Sequence, residues 1–178
     1  MNGQLELVAA TPELIRAALA GPRELAVGLA ATVPLTWPPM YVDKAALEYT
    51  QDRLADGPEQ VGWWMHFVVL VDDLGGRTLV GSGGYKGPPS DDGTVEVGYA
   101  IVSDRQRRGY ATEALQGLLA RAFAFREVRR AIAETLPESA PSIGVLRKCG
   151  FRPLGEGSEP GVIRFELTRV EFTSACSP

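Results

Sequence analysis

Cysteine and histidine are scarce in this chain: two cysteines, Cys149 and Cys176, and one histidine, His66, among 178 residues. Two thiols fall far short of the disulfide framework of a small secreted domain, and a Cys/His metal cluster cannot be assembled, so no metal is expected. An excess of positive charge is also missing. The formal net charge of -4 argues against a dedicated nucleic-acid binder, which draws its affinity from neutralising phosphates, so any anion site must be local. Long hydrophobic runs are absent as well, the best stretch, Phe67 to Val71, being strand-sized. Met1 to Ala10 lacks a basic start and is interrupted by Glu6, unlike a signal peptide. A cytoplasmic protein with no membrane partner is expected.

What is present is ordinary for a globular domain: 45% hydrophobic and 22% charged residues. A chain of this length can bury roughly 70% of its unfolded surface in one core. A single domain is expected over residues 1–170, with a flexible tail over 171–178.

Leu5 to Val8 alternates like a strand, and Thr11-Pro12-Glu13 starts a helix with threonine as N-cap and proline at the first position. Gly21-Pro22 breaks it, and a second short helix follows over Arg23 to Leu29. Val33 to Tyr41 holds three prolines and must be a loop, carrying Trp37 and Tyr41. Asp43 caps a helix through Leu54. Trp63 to Val71, Thr78 to Tyr85 and Thr94 to Val102 then read as an antiparallel meander. Ala114, Leu115, Leu118, Leu119, Ala122 and Phe123 lie on one face of a long helix. Arg130 to Leu136 reads as a strand, Pro141 to Lys148 as a helix ended by Gly150, and Phe151 to Leu154 with Val162 to Leu167 as a last strand pair.

The chemistry concentrates where Glu96 to Val102 ends, at Ser103-Asp104-Arg105 and Gln106-Arg107-Arg108-Gly109-Tyr110-Ala111, running into Thr112 and the amphipathic helix. A strand, a basic glycine-containing loop and a helix N-terminus suit a pyrophosphate. The first-turn amides lack intrahelical partners, the helix dipole is positive there, and Gly109 lets an anion approach the backbone. The loop is neither a Walker loop, lacking Gly-Lys-Ser/Thr, nor a Rossmann fingerprint, with one glycine of three.

Gln106-x-x-Gly109-x-Ala111 in this setting resembles the acetyl-CoA motif of the GNAT superfamily of N-acetyltransferases. Downstream, Glu134 to Ile143 and then Leu146-Arg147-Lys148-Cys149-Gly150-Phe151 resemble its second hallmark, a strand, N-x-x-S-I, and a helix ending in K-x-G-F. Within the superfamily the chain looks closest to the ribosomal-protein alanine N-acetyltransferase-like branch. The resemblance implies an α/β (α+β) fold with a central, mixed, mostly antiparallel sheet of six to seven strands, flanked by about four helices. It implies that the strands through Glu96 and Glu134 are parallel neighbours that splay apart to hold pantetheine, with main-chain groups at Ala100, Ile101 and Val102 bonding it. It implies acetyl-CoA as cosubstrate, direct transfer to an amine in a ternary complex, and a homodimer as a state common in the family.

An amine protonated at neutral pH cannot attack a thioester, so a base must take a proton and the departing thiolate needs a donor. The resemblance places Glu134 at the position of the base, with Glu96 on the facing strand as the second candidate, for proton removal or for binding the acceptor's ammonium. The tyrosine that many members use as general acid is Leu146 here. Ser142 matches the serine of the alanine-acetyltransferase-like branch, and Ser139 stands where the family has asparagine. Trp37, Tyr41 and Tyr85, with Trp63 or Trp64, are candidate walls of the acceptor cleft, one of the two adjacent tryptophans being expected in the core. His66 has no evident partner, and Cys149 reads as helix filler, no histidine following it to activate it. The acceptor reads as a protein N-terminal amine, with two alternatives: a small-molecule amine, or no acceptor at all in a domain that only binds acyl-CoA.

Overall fold

The structure, a computed structural model, describes residues 4–175; Cys176 and the end of the expected tail lie outside the described residues. Among the described residues there are seven strands and six α-helices, and one sheet in the order β1-β2-β3-β4-β5-β7-β6 holds both halves of the chain. The strands are β1 (Gln4–Ala9), β2 (Met65–Val71), β3 (Arg77–Tyr85), β4 (Thr94–Ile101), β5 (Arg130–Thr135), β6 (Arg152–Glu156) and β7 (Ile163–Thr168). All neighbours are antiparallel except β4 and β5, which run parallel.

Helices α1 (Pro12–Ala20), α2 (Pro22–Leu29) and α3 (Lys44–Leu54) pack on one face of the sheet, burying Ile15, Leu25, Leu47 and Leu54 against Phe67, Val69 and Leu79. The starts of α1 and α3 are where the caps place them: Thr11 Oγ1 accepts from the Leu14 amide and an Asp43 carboxylate oxygen from the Ala46 amide at 2.9 Å. On the opposite face α4 (Tyr110–Ala124) buries all six expected residues, Ala114, Leu115, Leu118, Leu119, Ala122 and Phe123, most of them against Val95, Val97, Ala131, Ala133, Phe165 and Leu167. Helix α5 (Ala140–Lys148) joins that layer through Leu146.

Several boundaries differ from the sequence expectation, most of them by one or two residues. Strand β2 starts at Met65 rather than Trp63, because Gly62 and the two tryptophans form the turn that feeds it. The last strand pair starts one residue later than expected at each strand. The flexible tail expected over 171–178 does not start there: Arg169–Ala175 form α6. The Arg169 guanidinium donates to the carbonyls of Phe123 (2.7 Å), Phe125 and Val128, and Phe172 stacks on Phe123 with centroids 4.8 Å apart. Local composition gives no hint of that anchor, which depends on a distant helix end. Among the described residues, no helix is long and apolar enough to cross a membrane and no cluster of His, Cys, Asp and Glu could hold a metal.

Candidate active site

Strands β4 and β5 pair only over Thr94–Arg130, Val95–Ala131 and Glu96–Ile132 and then part, β5 continuing against β7 as far as Thr135–Ile163. A V opens between them. Alternation along β4 decides which groups face it. The Lys86 amide donates to the Glu96 carbonyl and the Val102 amide to the Val80 carbonyl, so Glu96, Gly98, Ala100 and Val102 turn their main chains toward β3. Val97, Tyr99 and Ile101 turn theirs toward the opening. Of the three residues expected to bond pantetheine through the main chain, Ile101 alone is so placed. Ala100 is directed to β3, and Val102 is engaged at both ends, its carbonyl accepting from Arg105. Tyr99, which sequence reasoning passed over, also turns its main chain toward the opening.

The phosphate loop lies at the end of β4. Ser103–Arg105 form a 3-10 turn, and Gln106 folds back so that Nε2 donates to the Ile101 carbonyl at 3.0 Å. Arg107 and Gly109 both have left-handed backbones, φ 61° and 88°. Gly109 caps α4 without a side chain, a Cβ there would meet nothing within 4 Å, and no side chain bonds the first-turn amides. Tyr110, Ala111 and Thr112 therefore present free N–H groups at the positive end of a 15-residue helix. Among the described residues Arg107 and Arg108 have no ion-pair partner, whereas Arg105 pairs with Asp104 at 3.5 Å. An exposed nest of amides flanked by two free guanidiniums fits a pyrophosphate, as acetyl-CoA requires.

Helix α5 borders the V on the same side as α4. Ser139 is its N-cap without a side-chain bond, and Ser142, half-buried in the first turn, faces Tyr99. The Tyr99 hydroxyl donates to the Ser142 carbonyl at 3.2 Å and lies 3.4 Å from Ser142 Oγ. On the other face of β4, Gly98 is exposed and a Cβ there would meet open space. Register extends this floor through Ala100 and Ser82 to Phe67, on which Trp37 packs with centroids 5.9 Å apart. The proline-rich loop is tied to the phosphate loop, the Thr36 hydroxyl donating to Asp104.

The two candidate bases differ sharply. Glu134 is 9% exposed in its side chain and fully engaged: one carboxylate oxygen takes Arg164 Nε (2.8 Å), Arg164 Nη2 and the Ser158 amide (2.8 Å), the other the Ser158 hydroxyl (2.7 Å). Burial pushes its carboxyl up, but these bonds outweigh burial and hold it below the usual range. Glu96 is paired with Lys86 alone, and that lysine is 68% exposed.

A sequence model of the Acetyltransferase (GNAT) domain matches residues 17–152, more than half of the chain. The chain belongs to the GNAT acetyltransferase family. It is 34% identical over 106 residues to the uncharacterized N-acetyltransferase YjdG of Bacillus subtilis, covering 60% of this chain and 61% of that one. It is 30% identical over 114 residues to the uncharacterized N-acetyltransferase p20 of Bacillus licheniformis, covering 60% and 63%. The matches thus span about three fifths of these relatives' length. Similar solved structures include mutant forms of the spermidine/spermine N-acetyltransferase SpeG of Vibrio cholerae (TM-score 0.65, 15% identity, 98% of this chain and 99% of that one). Another is a Vibrio cholerae protein provisionally assigned as a ribosomal-protein-serine acetyltransferase (0.63, 20%, 94% and 95%). The microcin C7 self-immunity acetyltransferase MccE, solved with acetyl-CoA and AMP, also superposes (0.63, 13%, 94% and 93%). At these identities they establish the fold alone.

Within the GNAT frame, one expected acceptor wall, Tyr85, moves. Tyr85 is not in the cleft: it is 6% exposed on the α4 face, and its hydroxyl donates to the Leu118 carbonyl at 2.6 Å. Tyr41 is 77% exposed on the proline-rich loop, beside the equally exposed Met40. Trp63 is the core tryptophan, packed on Tyr85 and Phe125, while Trp64 is half-buried and donates to Gln60. His66 is buried against Tyr85 with Nδ1 unpartnered. Burial first, then the Arg121 charge, lowers its pKa to about 4. Burial raises the Cys149 thiol to about 11, so it offers no thiolate. Leu146 is buried in the core.

Proposed function

We propose that this protein moves an acetyl group from acetyl-CoA to a primary amine by direct transfer in a ternary complex. One observation carries the reading: an uncapped helix N-terminus with two unpaired arginines lies at the mouth of a V between parallel strands. The amides of Gly109 to Thr112 with Arg107 and Arg108 would hold the pyrophosphate, and the inward main chain of Tyr99 and Ile101 would hold the pantetheine arm. Acetyl-CoA, once bound, supplies an activated acyl carbon.

Glu96, rather than the sequence-favoured Glu134, is the better-supported proton acceptor. An exposed lysine can swing away from it, whereas freeing Glu134 would break four hydrogen bonds and strand Arg164. Glu134 fits a clamp that holds the β6–β7 loop at Ser158. Ser142 is placed to donate on the thiol side, Ser139 at the head of α5 beside it, and Trp37 walls the acceptor floor.

Carboxylates near the floor already have cations: Glu96 with Lys86, Glu134 with Arg164, Glu166 with Arg152 at 2.6 Å. This supports an acceptor with one ammonium rather than a polycation. The exposed Leu35, Met40 and Tyr41, and a cavity of about 240 Å³ lined in part by Trp37, Val42 and Leu47, support a peptide N-terminus with an apolar neighbour. The cytoplasmic location and a homodimer belong to the same reading. The second reading, a domain that binds acyl-CoA without turnover, draws on the absence of a tyrosine at Leu146. Amine-dependent release of thiol from acetyl-CoA, across peptides, amino acids, polyamines and aminoglycosides, separates the two. Release with any amine, best with peptides, is expected; binding without release would install the second reading.

A further inference from the structure

Tyr99 lies three residues beyond the last β4–β5 pair, so its main chain lines the open part of the V while its ring turns to the face shared by α4 and α5. Its hydroxyl rests on the Ser142 carbonyl. Helix geometry already pairs that carbonyl with the Leu146 amide, so the phenol takes only its second lone pair and the helix loses no bond when the phenol turns away. A hydroxyl is thus held half-buried, on an exchangeable partner, beside the serine expected near the sulfur. Leu146 supplies no hydroxyl from the helix.

We propose that the Tyr99 phenol donates a hydrogen bond to the sulfur of the departing coenzyme A, acting from the strand opposite Ser142. The inference rests on the acetyl-transfer reading above. The amine nitrogen forms a bond to the acetyl carbon and loses its proton through Glu96 to solvent. The C–S bond breaks with its electron pair on sulfur. The phenol turns from the Ser142 carbonyl to that thiolate and keeps its own proton, and the thiolate is protonated from solvent as coenzyme A leaves. Burial holds the Tyr99 hydroxyl at about 12, so it stays a donor at any working pH, whereas an ordinary thiol ionises near about 8.5. The other titratable group acting on it is the neutral Cys149 thiol.

The test needs no acceptor. Coenzyme A is bound to the full chain, and its thiolate absorbance is titrated as the difference between loaded and free protein, which removes Cys149 and Cys176. A phenol aimed at sulfur lowers the bound thiol's pKa by about one unit or more relative to free coenzyme A, and Tyr99→Phe abolishes the shift with little loss of affinity. Turnover in Tyr99→Phe falls on the order of a hundredfold. A wild-type bound thiol that titrates like free coenzyme A overturns the proposal whether or not the variant folds. So does a shift lost in Ser142→Ala but kept in Tyr99→Phe. Failure of coenzyme A to bind at all overturns the acetyl-transfer reading with it.

Discussion

Helices α3 and α4 each follow a loop, yet their first turns are built differently. Asp43 closes the start of α3 by accepting from Ala46, whereas α4 starts at a bare Gly109 with its amides open and two arginines unpaired. A cap stabilises a helix by about 1 kcal/mol, so leaving one out has a stability cost, and a site that must receive an anion gains by it. The same contrast separates Glu134, locked by Ser158 and Arg164, from Glu96, held by one exposed lysine. Groups that are saturated hold the fold together, and groups left partly satisfied are available to a ligand.

The comparison is broken most severely by exchanging the two glutamates' fates. Glu96→Gln is expected to lower kcat on the order of a thousandfold with the melting temperature nearly unchanged. Glu134→Gln should leave kcat within a few fold but destabilise the chain by roughly 1–2 kcal/mol in denaturant titrations. The reverse pattern would return the base to Glu134.

Acid lability sharpens the contrast with the core. His66 takes up a proton at about 4 in the folded chain against an ordinary 6.5. Its neutral form is favoured by folding, so its contribution is complete above about 6.5, is lost as pH falls, and levels off below about 4. The loss is of order 3 kcal/mol, and His66→Phe should flatten unfolding free energy over that window while sparing kcat. An unchanged pH profile would place the acid sensitivity elsewhere.

Smaller still, Asp43→Ala should cost about 1 kcal/mol of stability without altering acetyl-CoA affinity. Tyr41→Ala, at an exposed side chain, should change stability by less than about 0.5 kcal/mol and show itself only in KM for a peptide acceptor.

Much of the frame was legible in the chain itself. The six-residue apolar face of α4, the caps at Thr11 and Asp43, and Gly109 between strand and helix are local signals, and local geometry enforces them. The rest depended on partners remote in sequence. Tyr85 reads as a cleft aromatic until sheet pairing shows that it shares the α4 face with Val97, its partner across β3 and β4. Glu134 reads as a free strand carboxylate until β7 brings Arg164 opposite it. Tyr99 did carry a signal, the alternation Val95, Val97, Tyr99, Ile101, which puts it on the helix-covered face. Taken with the splay, that alternation also separates Ile101 from Ala100 and Val102. The end of the chain was hidden for a different reason, since α6 is fixed by Arg169 reaching carbonyls more than forty residues away.

Amide chemical shifts and exchange rates, followed residue by residue as acetyl-CoA is added, compare the open and closed helix starts in one experiment. Saturable changes at Gly109 to Thr112, with Tyr99 and Ile101 responding and the first turns of α1 and α3 silent, are what the account predicts. Binding that leaves the α4 amides unperturbed, or no binding at all, would contradict it.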